Sequence, residues 1–152
     1  MKNFKQKPQA APAHRPGITG QPVSKYMARN LITFTPETEI LDAIDTLVQN
    51  KISGAPVLNA RGEVMGMVDD KDCLRVLIDS AYQKHPVRGN TVVNYMDKVM
   101  RTIKEDLELV EAADLFLHSN YKRLLVVDAN NRLIGQISRS DVLAAIGKLQ
   151  LT

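Results

Sequence analysis

Two stretches of the chain, GMVDDKD at residues 66–72 and GQISRSD at residues 135–141, share a frame that begins with glycine and ends with aspartate. They lie 69 positions apart. Comparison of the chain with itself at that offset keeps one register, without a gap, over about 55 residues. The identical pairs include Val23 with Val92, Met27 with Met96, Asp45 with Asp114, Val57 with Val126, and Asp72 with Asp141. Chance identities would not keep one register over that length, so the chain contains an internal duplication.

The spacing of apolar residues changes in the same order within each copy. Residues 40–48 and 109–117 follow helical spacing, with Thr38 and Asp106 as plausible N-caps. Two short apolar runs come next in each copy. They are separated by NARG in the first copy and by DANN in the second, which are turn sequences that favour a β-hairpin.

A second helix and a short leading strand complete each copy. The second helix is predicted to begin at Lys71 and at Ser140, and the leading strand lies in LITF (31–34) and in RTIK (101–104). Each copy therefore reads β-α-β-β-α, and the predicted fold class is α+β with α/β-type alternation. A unit of this size leaves an apolar face that it cannot cover alone. Two tandem repeats packed around a pseudo-twofold axis are expected, with two related clefts at their junction.

The chain divides into four segments. Residues 1–22 are basic and proline-rich with few large apolar residues, and a flexible arm is expected there. Residues 23–84 form the first repeat, residues 85–91 a polar linker, and residues 92–148 the second repeat. The cations of the arm allow contact with nucleic-acid phosphates, but a solubilising tail is the preferred interpretation.

Composition excludes several classes of protein. No apolar run reaches the roughly 18 residues of a membrane span, and the N-terminus lacks the apolar core of a secretory signal, so a cytoplasmic location is expected. Cys73 is the one cysteine of the chain, which excludes a disulfide within one chain, and it is interpreted as a small buried apolar residue rather than a reactive thiol. His14, His85 and His118 have no evident nucleophile beside them, so the protein is not expected to be an enzyme.

The two copies resemble a tandem pair of cystathionine beta-synthase (CBS) domains, the unit often called a Bateman module. In the first copy the resemblance is carried by KYM, TFTPETEILDAI and KISGAPVLNARGEVMGMVDDKD, and in the second by NYM and NYKRLLVVDANNRLIGQISRSDVL. It implies a non-enzymatic regulatory protein that binds an adenosine-containing ligand between the repeats and modulates a partner protein. The ligands common in the family are AMP, ADP, ATP and S-adenosylmethionine.

The second-copy frame also carries a physical argument for a phosphate. A helix begins at Ser140, and its free backbone N–H groups and the positive end of its dipole attract an anion. Ser138 and Ser140 add hydroxyl donors, and Asp141 is suited to accept hydrogen bonds from both ribose hydroxyls. The resemblance implies that this frame works with the adenine-facing strand of the first copy. The main cleft is then predicted to contain Thr33, Thr35, Ser53, Gly54, Ala55, Pro56, Ser138, Arg139, Ser140 and Asp141.

Each half of this cleft has a structural alternative. Ser-x-x-Asp ahead of an apolar run is also a capping box, which would satisfy only the N–H groups of its own helix. The small residues of SGAPV allow a planar base to approach the backbone, but they also suit a tight strand start in a packed core. The sequence leaves both alternatives open.

A second, weaker cleft would pair the first-copy frame with the strand NYKRLLVV. Asp69 stands at the position of Ser138, which places a negative charge where a phosphate would bind. The residues predicted for this cleft are Asp69, Asp72, Thr102, Lys122 and Arg123. Alternatively, Asp69, Asp70 and Asp72 bind a cation, although acids at a helix start also complement its dipole, and no metal site is assigned.

A homodimer is expected, because members of this family stack their pairs into a flat disk through amphipathic helices. Leu47, Leu117 and Val142 are candidates for that surface or for the intramolecular core. The further partner is an unidentified effector protein, and no membrane is involved. Two rival functions remain: a nucleic-acid-binding accessory protein that uses the basic arm, and a structural dimer without a ligand.

Overall fold

The computed structural model describes residues 15–83, 87–98 and 100–151 of the chain. The first repeat contains helix α1 (Ile40–Asn50), strands β1 (Gly54–Leu58) and β2 (Val64–Asp69), and helix α2 (Asp70–Ile78). The second contains strand β3 (Thr102–Lys104), helix α3 (Leu109–Leu117), strands β4 (Arg123–Val127) and β5 (Leu133–Ser138), and helix α4 (Arg139–Ile146). Single 3₁₀ turns at Val23–Lys25 and Val92–Asn94 begin the repeats, and a π-helical turn at Asp79–Gln83 follows α2. The α+β fold class is confirmed.

The hairpins repeat each other in detail. Strands β1 and β2 pair antiparallel, as do β4 and β5, and a bulge follows Val57 in one hairpin and its counterpart Val126 in the other. Gly62 and Asn131 occupy equivalent turn positions with left-handed φ values of 78° and 62°. Glycine and asparagine are the residues that adopt this conformation most readily, which explains the turn sequences NARG and DANN.

The leading strands differ between the copies. Strand β3 pairs in parallel with β4 through Thr102–Lys104, as predicted. In the first copy, LITF forms no regular strand, and Phe34 makes an isolated parallel bridge to Val57. The prediction of a strand there was therefore wrong in extent, although the segment lies beside β1 as its counterpart lies beside β4.

The predicted N-caps of the first helices were wrong. The N-caps of α1 and α3 are Glu39 and Glu108, and neither side chain caps its helix. The Thr38 hydroxyl instead accepts a hydrogen bond of 3.1 Å from the Thr35 backbone N–H. The second helices begin one residue earlier than predicted, at Asp70 and Arg139, because Asp69 and Ser138 are their N-caps.

The segment that leads into each repeat packs against the other repeat. Val23 and Met27 lie in the core of the second repeat, with Ile103, Leu109, Phe116, Leu124, Ile137 and others. The Val23 N–H donates to the Leu107 carbonyl at 2.8 Å, and Ala28 and Gln136 exchange backbone hydrogen bonds of 2.8 and 2.9 Å. The start of the first repeat, residues 23–28, therefore packs in space on the second repeat.

The segment that begins the second repeat makes the reciprocal contact. Val92, Tyr95 and Met96 lie in the core of the first repeat, among Phe34, Ile40, Leu47, Val57 and Val68. Asp97 and Met67 exchange backbone hydrogen bonds of 2.8 and 2.9 Å. The two cores are thus completed by exchanged segments.

The two hairpins also meet near the pseudo-twofold axis. Val64, Leu125 and Val127 form a third buried cluster, and the hairpin ends exchange backbone hydrogen bonds. In these bonds the Val64 N–H donates to the Asn131 carbonyl at 3.2 Å, and the Leu133 N–H donates to the Gly62 carbonyl at 3.0 Å. The contact joins the repeats into one body.

Part of the predicted arm is ordered against the second repeat. Gln21 is 4% exposed, and its backbone N–H donates to Glu108 Oε2 at 2.9 Å while its side-chain oxygen accepts from the Tyr26 hydroxyl at 2.8 Å. The Gln150 N–H donates to the Pro16 carbonyl at 2.9 Å. Flexibility was predicted for residues 1–22, and the structure contradicts it for this part, while residues 1–14 lie outside the described residues.

Of the three residues proposed for a dimer surface or the core, two lie in the core and one lies on the surface. Leu47 and Val142 are buried in the two intramolecular cores, whereas Leu117 is 82% exposed. Among the helices that the structure describes, none is long and apolar enough to cross a membrane.

Candidate functional site

A cavity of about 450 Å³ opens between the repeats. The first repeat contributes residues 30–32, the C-cap of α1 and the start of β1. The second repeat contributes the start of β4 and the end of β5. The volume falls in the range of small-molecule sites. The lining residues are Asn30, Leu31, Ile32, Lys51, Ile52, Ser53, Gly54, Pro56, Lys122, Arg123, Gln136 and Ser138.

The structure brings together part of the predicted main cleft. Ser53, Gly54, Pro56 and Ser138 line the cavity. The other predicted residues are not among its lining. Ala55 is buried in the core of the first repeat, and the hydroxyls of Thr35 and Thr38 lie 3.2 Å apart in an exposed turn. Thr33, Arg139 and Ser140 are exposed, and Asp141 is half-buried at the start of α4.

The start of α4 is a closed hydrogen-bond network. The Asp141 N–H donates to Ser138 Oγ at 3.2 Å, and Asp141 Oδ2 accepts from the Ser138 N–H at 2.9 Å. Asp141 Oδ2 also accepts from Ser138 Oγ at 3.0 Å, and Ser138 Oγ lies 2.8 Å from Ser140 Oγ. The capping box predicted as an alternative is present, and it fixes the Asp141 carboxylate beside Ser138, which lines the cavity. The Arg139 guanidinium lies 6.0 Å from the centre of the Phe116 ring, a cation–π contact.

Lys122 and Arg123, which were predicted for the second cleft, also line the main cavity. Both line the cavity that contains Ser53 and Ser138, and an Arg123 nitrogen donates to Ser53 Oγ. The reason is symmetry: at the offset of 69, Lys122 and Arg123 are the counterparts of Ser53 and Gly54. The starts of β1 and β4 lie next to each other, as the hydrogen bond from Arg123 to Ser53 shows, so both pairs border the same cavity.

The first-copy frame is a second capping box, formed by two acids. The Asp72 N–H donates to Asp69 Oδ1 at 2.8 Å, and the Asp69 N–H donates to Asp72 Oδ2 at 3.1 Å. Arg75 lies 3.8 Å from Asp72 Oδ1, and Thr102 is half-buried in β3. No group of three or more His, Cys, Asp or Glu residues within the part of the chain that the structure describes could hold a metal ion, so the alternative cation site at Asp69, Asp70 and Asp72 finds no support.

Burial raises the pKa of the Asp72 carboxyl to about 6, and the negative charge of Asp69 adds to that effect. Because the folded-state pKa lies above the ordinary value of 3.8, Asp72 stabilises the fold fully below pH 3.8, and this contribution is lost as the pH rises through about 6. We therefore expect Asp72→Asn, which keeps an acceptor for the Asp69 N–H, to raise the free energy of unfolding at pH 7.5 by about 1 kcal/mol.

Urea unfolding of the wild type and Asp72→Asn at pH 4 and pH 7.5 checks this prediction. The gain should be small at pH 4 and larger at pH 7.5. The exposed acid Asp106 supplies the control, because Asp106→Asn should show no comparable difference between the two pH values. A gain that is equal at both pH values would contradict the role given to Asp72.

The cysteine and the described histidine show no reactive environment. Cys73 is half-buried rather than fully buried, and burial, followed by the charges of Asp72, Asp69 and Asp70, raises the pKa of its thiol to about 11. His118 is exposed, with Nδ1 2.9 Å from the Asp114 carbonyl oxygen. His14 and His85 lie outside the described residues.

Sequence reasoning missed several residues of the cavity wall. Asn30, Leu31 and Ile32 precede the predicted Thr33, and Gln136 precedes Ser138 by two positions. Lys51 is the C-cap of α1 in a left-handed conformation, with φ of 52°, and it lines the cavity with Ile52. The available signal was that Lys51 and Ile52 begin the quoted stretch KISGAPVLNARGEVMGMVDDKD, directly ahead of Ser53.

A family model for the CBS domain matches the chain twice, at residues 23–79 and 92–148. The chain belongs to the CBS-domain family, and it is a tandem pair of such domains, a Bateman module. The two repeats share one register and one order of elements because each is a copy of the same domain.

Two curated relatives illustrate the range of similarity. The chloroplastic CBS domain-containing protein CBSX2 of Arabidopsis thaliana is 28% identical over 161 residues, which cover 90% of this chain and 66% of the relative. A CBS domain-containing protein of Dictyostelium discoideum is 31% identical over 134 residues, which cover 84% of this chain and 92% of the relative. The chain spans less than two thirds of the length of CBSX1 of Arabidopsis thaliana, at 63%.

Solved structures share the fold. The structure of CBSX2 in complex with AMP has a TM-score of 0.73 and 31% sequence identity, covering 84% of this chain and 96% of that chain. The CBS domain pair of protein MJ0100, in complex with 5-methylthioadenosine and S-adenosyl-L-methionine, has a TM-score of 0.69 at 20% identity, covering 84% of this chain and 96% of that chain. The second likeness is one of fold alone.

Proposed function

We propose that this chain is a non-enzymatic regulatory CBS pair that binds an adenine nucleotide in the main cleft. The observation that carries the proposal is the charge of the cavity: Lys51, Lys122 and Arg123 line it, and none of its described lining residues is acidic. Cationic side chains and the start of a helix favour a phosphate group. The relative CBSX2, which is 31% identical in its solved structure, has been solved in complex with AMP.

The nucleotide is oriented by the two ends of the cavity. The β1 start, with Ser53, Gly54 and Pro56, offers small side chains and backbone groups to the adenine ring. The α4 start, with Ser138, receives the phosphate side, and Asp141 accepts the ribose hydroxyls. The contacts of the capping box use Oδ2 of Asp141, and a carboxylate has a second oxygen with its own acceptor positions.

The same charge sets an order among the candidate ligands. AMP, ADP and ATP carry phosphates that the three cations attract, whereas S-adenosylmethionine carries a positive sulfonium that they repel. Calorimetric titration with these four ligands tests the function. Binding of AMP, ADP or ATP ahead of S-adenosylmethionine supports it, and the absence of binding by all four would overturn it. A thermal-shift scan gives an independent reading, because a ligand at 100 times its dissociation constant adds about 2.7 kcal/mol to the stability.

The second part of the proposal is that the chain forms a homodimer and that this dimer modulates an effector protein. Exposed apolar residues of the helices recur at the repeat offset of 69, so the two repeats present matching surfaces. Such a surface with internal twofold symmetry fits a second copy of the chain, because both halves can be buried at once. The matching pairs are Leu41 with Val110, Val48 with Leu117, Leu74 with Leu143, and Leu77 with Ile146.

We expect light scattering to show a dimer at micromolar concentration. Leu117→Glu combined with Leu74→Glu should shift the protein to a monomer, because charge on both halves of the surface opposes burial. Val93→Glu changes an exposed apolar residue outside these helices and serves as the control. A wild type that is monomeric at this concentration would contradict the prediction.

A cytoplasmic location stays a prediction. The relatives CBSX2 and CBSX1 are chloroplastic proteins. Microscopy of the tagged protein in its own cells would test the location directly.

A further inference from the structure

Arg123 crosses from the second repeat to the first. It begins β4, and its counterpart at the offset of 69 is Gly54, which begins β1. An Arg123 nitrogen donates to the Ser53 hydroxyl of the first repeat. A Cβ at position 54 would lie 2.7 Å from Arg123 Nη1 and 3.0 Å from Asp69 Cβ. The guanidinium therefore occupies space beside Gly54 that only a glycine leaves open.

The same guanidinium lies close to the acids of the first repeat. Gly54 and Asp69 are directly paired in the β1–β2 ladder, so Asp69 borders the place where Arg123 arrives. Burial lowers the pKa of Arg123, while the negative charges of Asp69 and Asp70 raise it. An arginine stays protonated in proteins, so the half-buried charge depends on these acids for part of its compensation.

The two repeats differ in the charge that they offer Arg123. The first repeat presents Asp69 and Asp70, and the equivalent positions of the second repeat are Ser138 and Arg139. The cavity that Arg123 lines contains Ser138. A phosphate bound there would be a second anion within the reach of one guanidinium.

We propose that Asp69 and Asp70 compete with the ligand's phosphate for Arg123, so that their electrostatic attraction for its guanidinium lowers the affinity of the main cleft for phosphorylated ligands. The inference rests on the proposed function and names a regulation of that same site. The coupling is reciprocal. A bound phosphate weakens the attraction between Arg123 and the two acids by the same free energy by which the acids weaken phosphate binding. Because Asp69 is the N-cap of α2, a ligand in the cleft then changes the electrostatic environment at the start of that helix.

The test is a mutant cycle with two probes, AMP and adenosine, titrated by calorimetry into four proteins: the wild type, Asp69→Asn, Arg123→Met and the double variant. Asparagine is a good N-cap, so Asp69→Asn keeps an acceptor for the Asp72 N–H while it removes the charge. We expect Asp69→Asn to raise AMP affinity by about threefold to tenfold, and Arg123→Met to lower it by about tenfold. Adenosine affinity should change less than twofold in Asp69→Asn, because adenosine has no phosphate.

The double variant separates competition through Arg123 from simple repulsion between Asp69 and the phosphate. If the gain from Asp69→Asn disappears in the Arg123→Met background, the competition is supported; if the full gain persists, it is overturned. Asp70→Asn is a second acid variant that leaves the capping box intact, and the exposed Asp106→Asn is the control, expected to leave both affinities unchanged. Adenosine binding with no gain for AMP in either acid variant overturns this inference alone. Absence of binding by both probes overturns the proposed function and this inference with it.

Discussion

Replacing Asp141 by asparagine is expected to weaken AMP binding by about tenfold to a hundredfold, since hydrogen bonds to a charged group contribute roughly 1.5 to 3 kcal/mol. The proposed role of the carboxylate is to accept both ribose hydroxyls, and the amide of asparagine retains one acceptor oxygen and no charge. Asparagine is preferred to alanine here because its oxygen still accepts from the Ser138 N–H, so the capping box at the start of α4 is kept.

Asp72→Asn is the matched control for this experiment, because Asp72 holds the same place in the first-copy capping box. We expect its AMP affinity to stay within about threefold of the wild type, since the adjacent Asp69 repels a phosphate in that frame. Calorimetry measures the affinities, and a melting curve for each variant shows that the fold is retained. Equal losses in the two variants, or a larger loss for Asp72→Asn, would contradict the choice of cleft.

Gly135→Ala is expected to lower the free energy of unfolding by about 1 to 3 kcal/mol, the usual cost of overpacking. A Cβ at Gly135 would lie 2.5 Å from Met27 Sδ and 2.9 Å from the Ala28 carbonyl oxygen. The methionine can move, but the carbonyl belongs to the backbone that exchanges hydrogen bonds with Gln136. The substitution thus pushes the leading segment away from β5.

Gly66→Ala, in the equivalent position, should be destabilising in the same way, because its Cβ would lie 2.9 Å from the Asp97 carbonyl oxygen. Gly17→Ala is the control, since no atom lies within 4 Å of a Cβ at that position. Urea unfolding at constant pH provides the measurement. A neutral Gly135→Ala would show that the leading segment is not held against β5 as the structure describes.

The sequence predicted the features that depend on local patterns. The duplication, the hairpins and the second helices follow from identities at a fixed offset, from turn residues and from apolar spacing, and the structure contains all of them. The prediction of Thr38 as the N-cap of α1 was wrong because Thr38 forms a turn with Thr35 before that helix begins. A hydroxyl near a helix start can cap the helix only when it does not already accept a hydrogen bond from another backbone N–H group.

The sequence could not predict the features that depend on which copy contacts which. The offset aligns Val23 with Val92, but equal residues in equal frames do not reveal whether a segment packs on its own repeat or on the other. The position of Lys122 and Arg123 on the wall of the main cavity was missed for a related reason. Arg123 contacts Ser53 of the first repeat, and an alignment of the two copies does not show such a contact between them.

The exchange of leading segments has a consequence for the order in which the chain can fold during synthesis. The first repeat obtains its last core residues once Met96 has been made, whereas the core that receives Val23 and Met27 also requires Leu149, near the C-terminus. The earliest of these core residues to leave the ribosome are thus buried last. Until then Val23 and Met27 have no native core to enter, and an isolated second repeat would have to recruit the leading segment of another molecule to close its own interior.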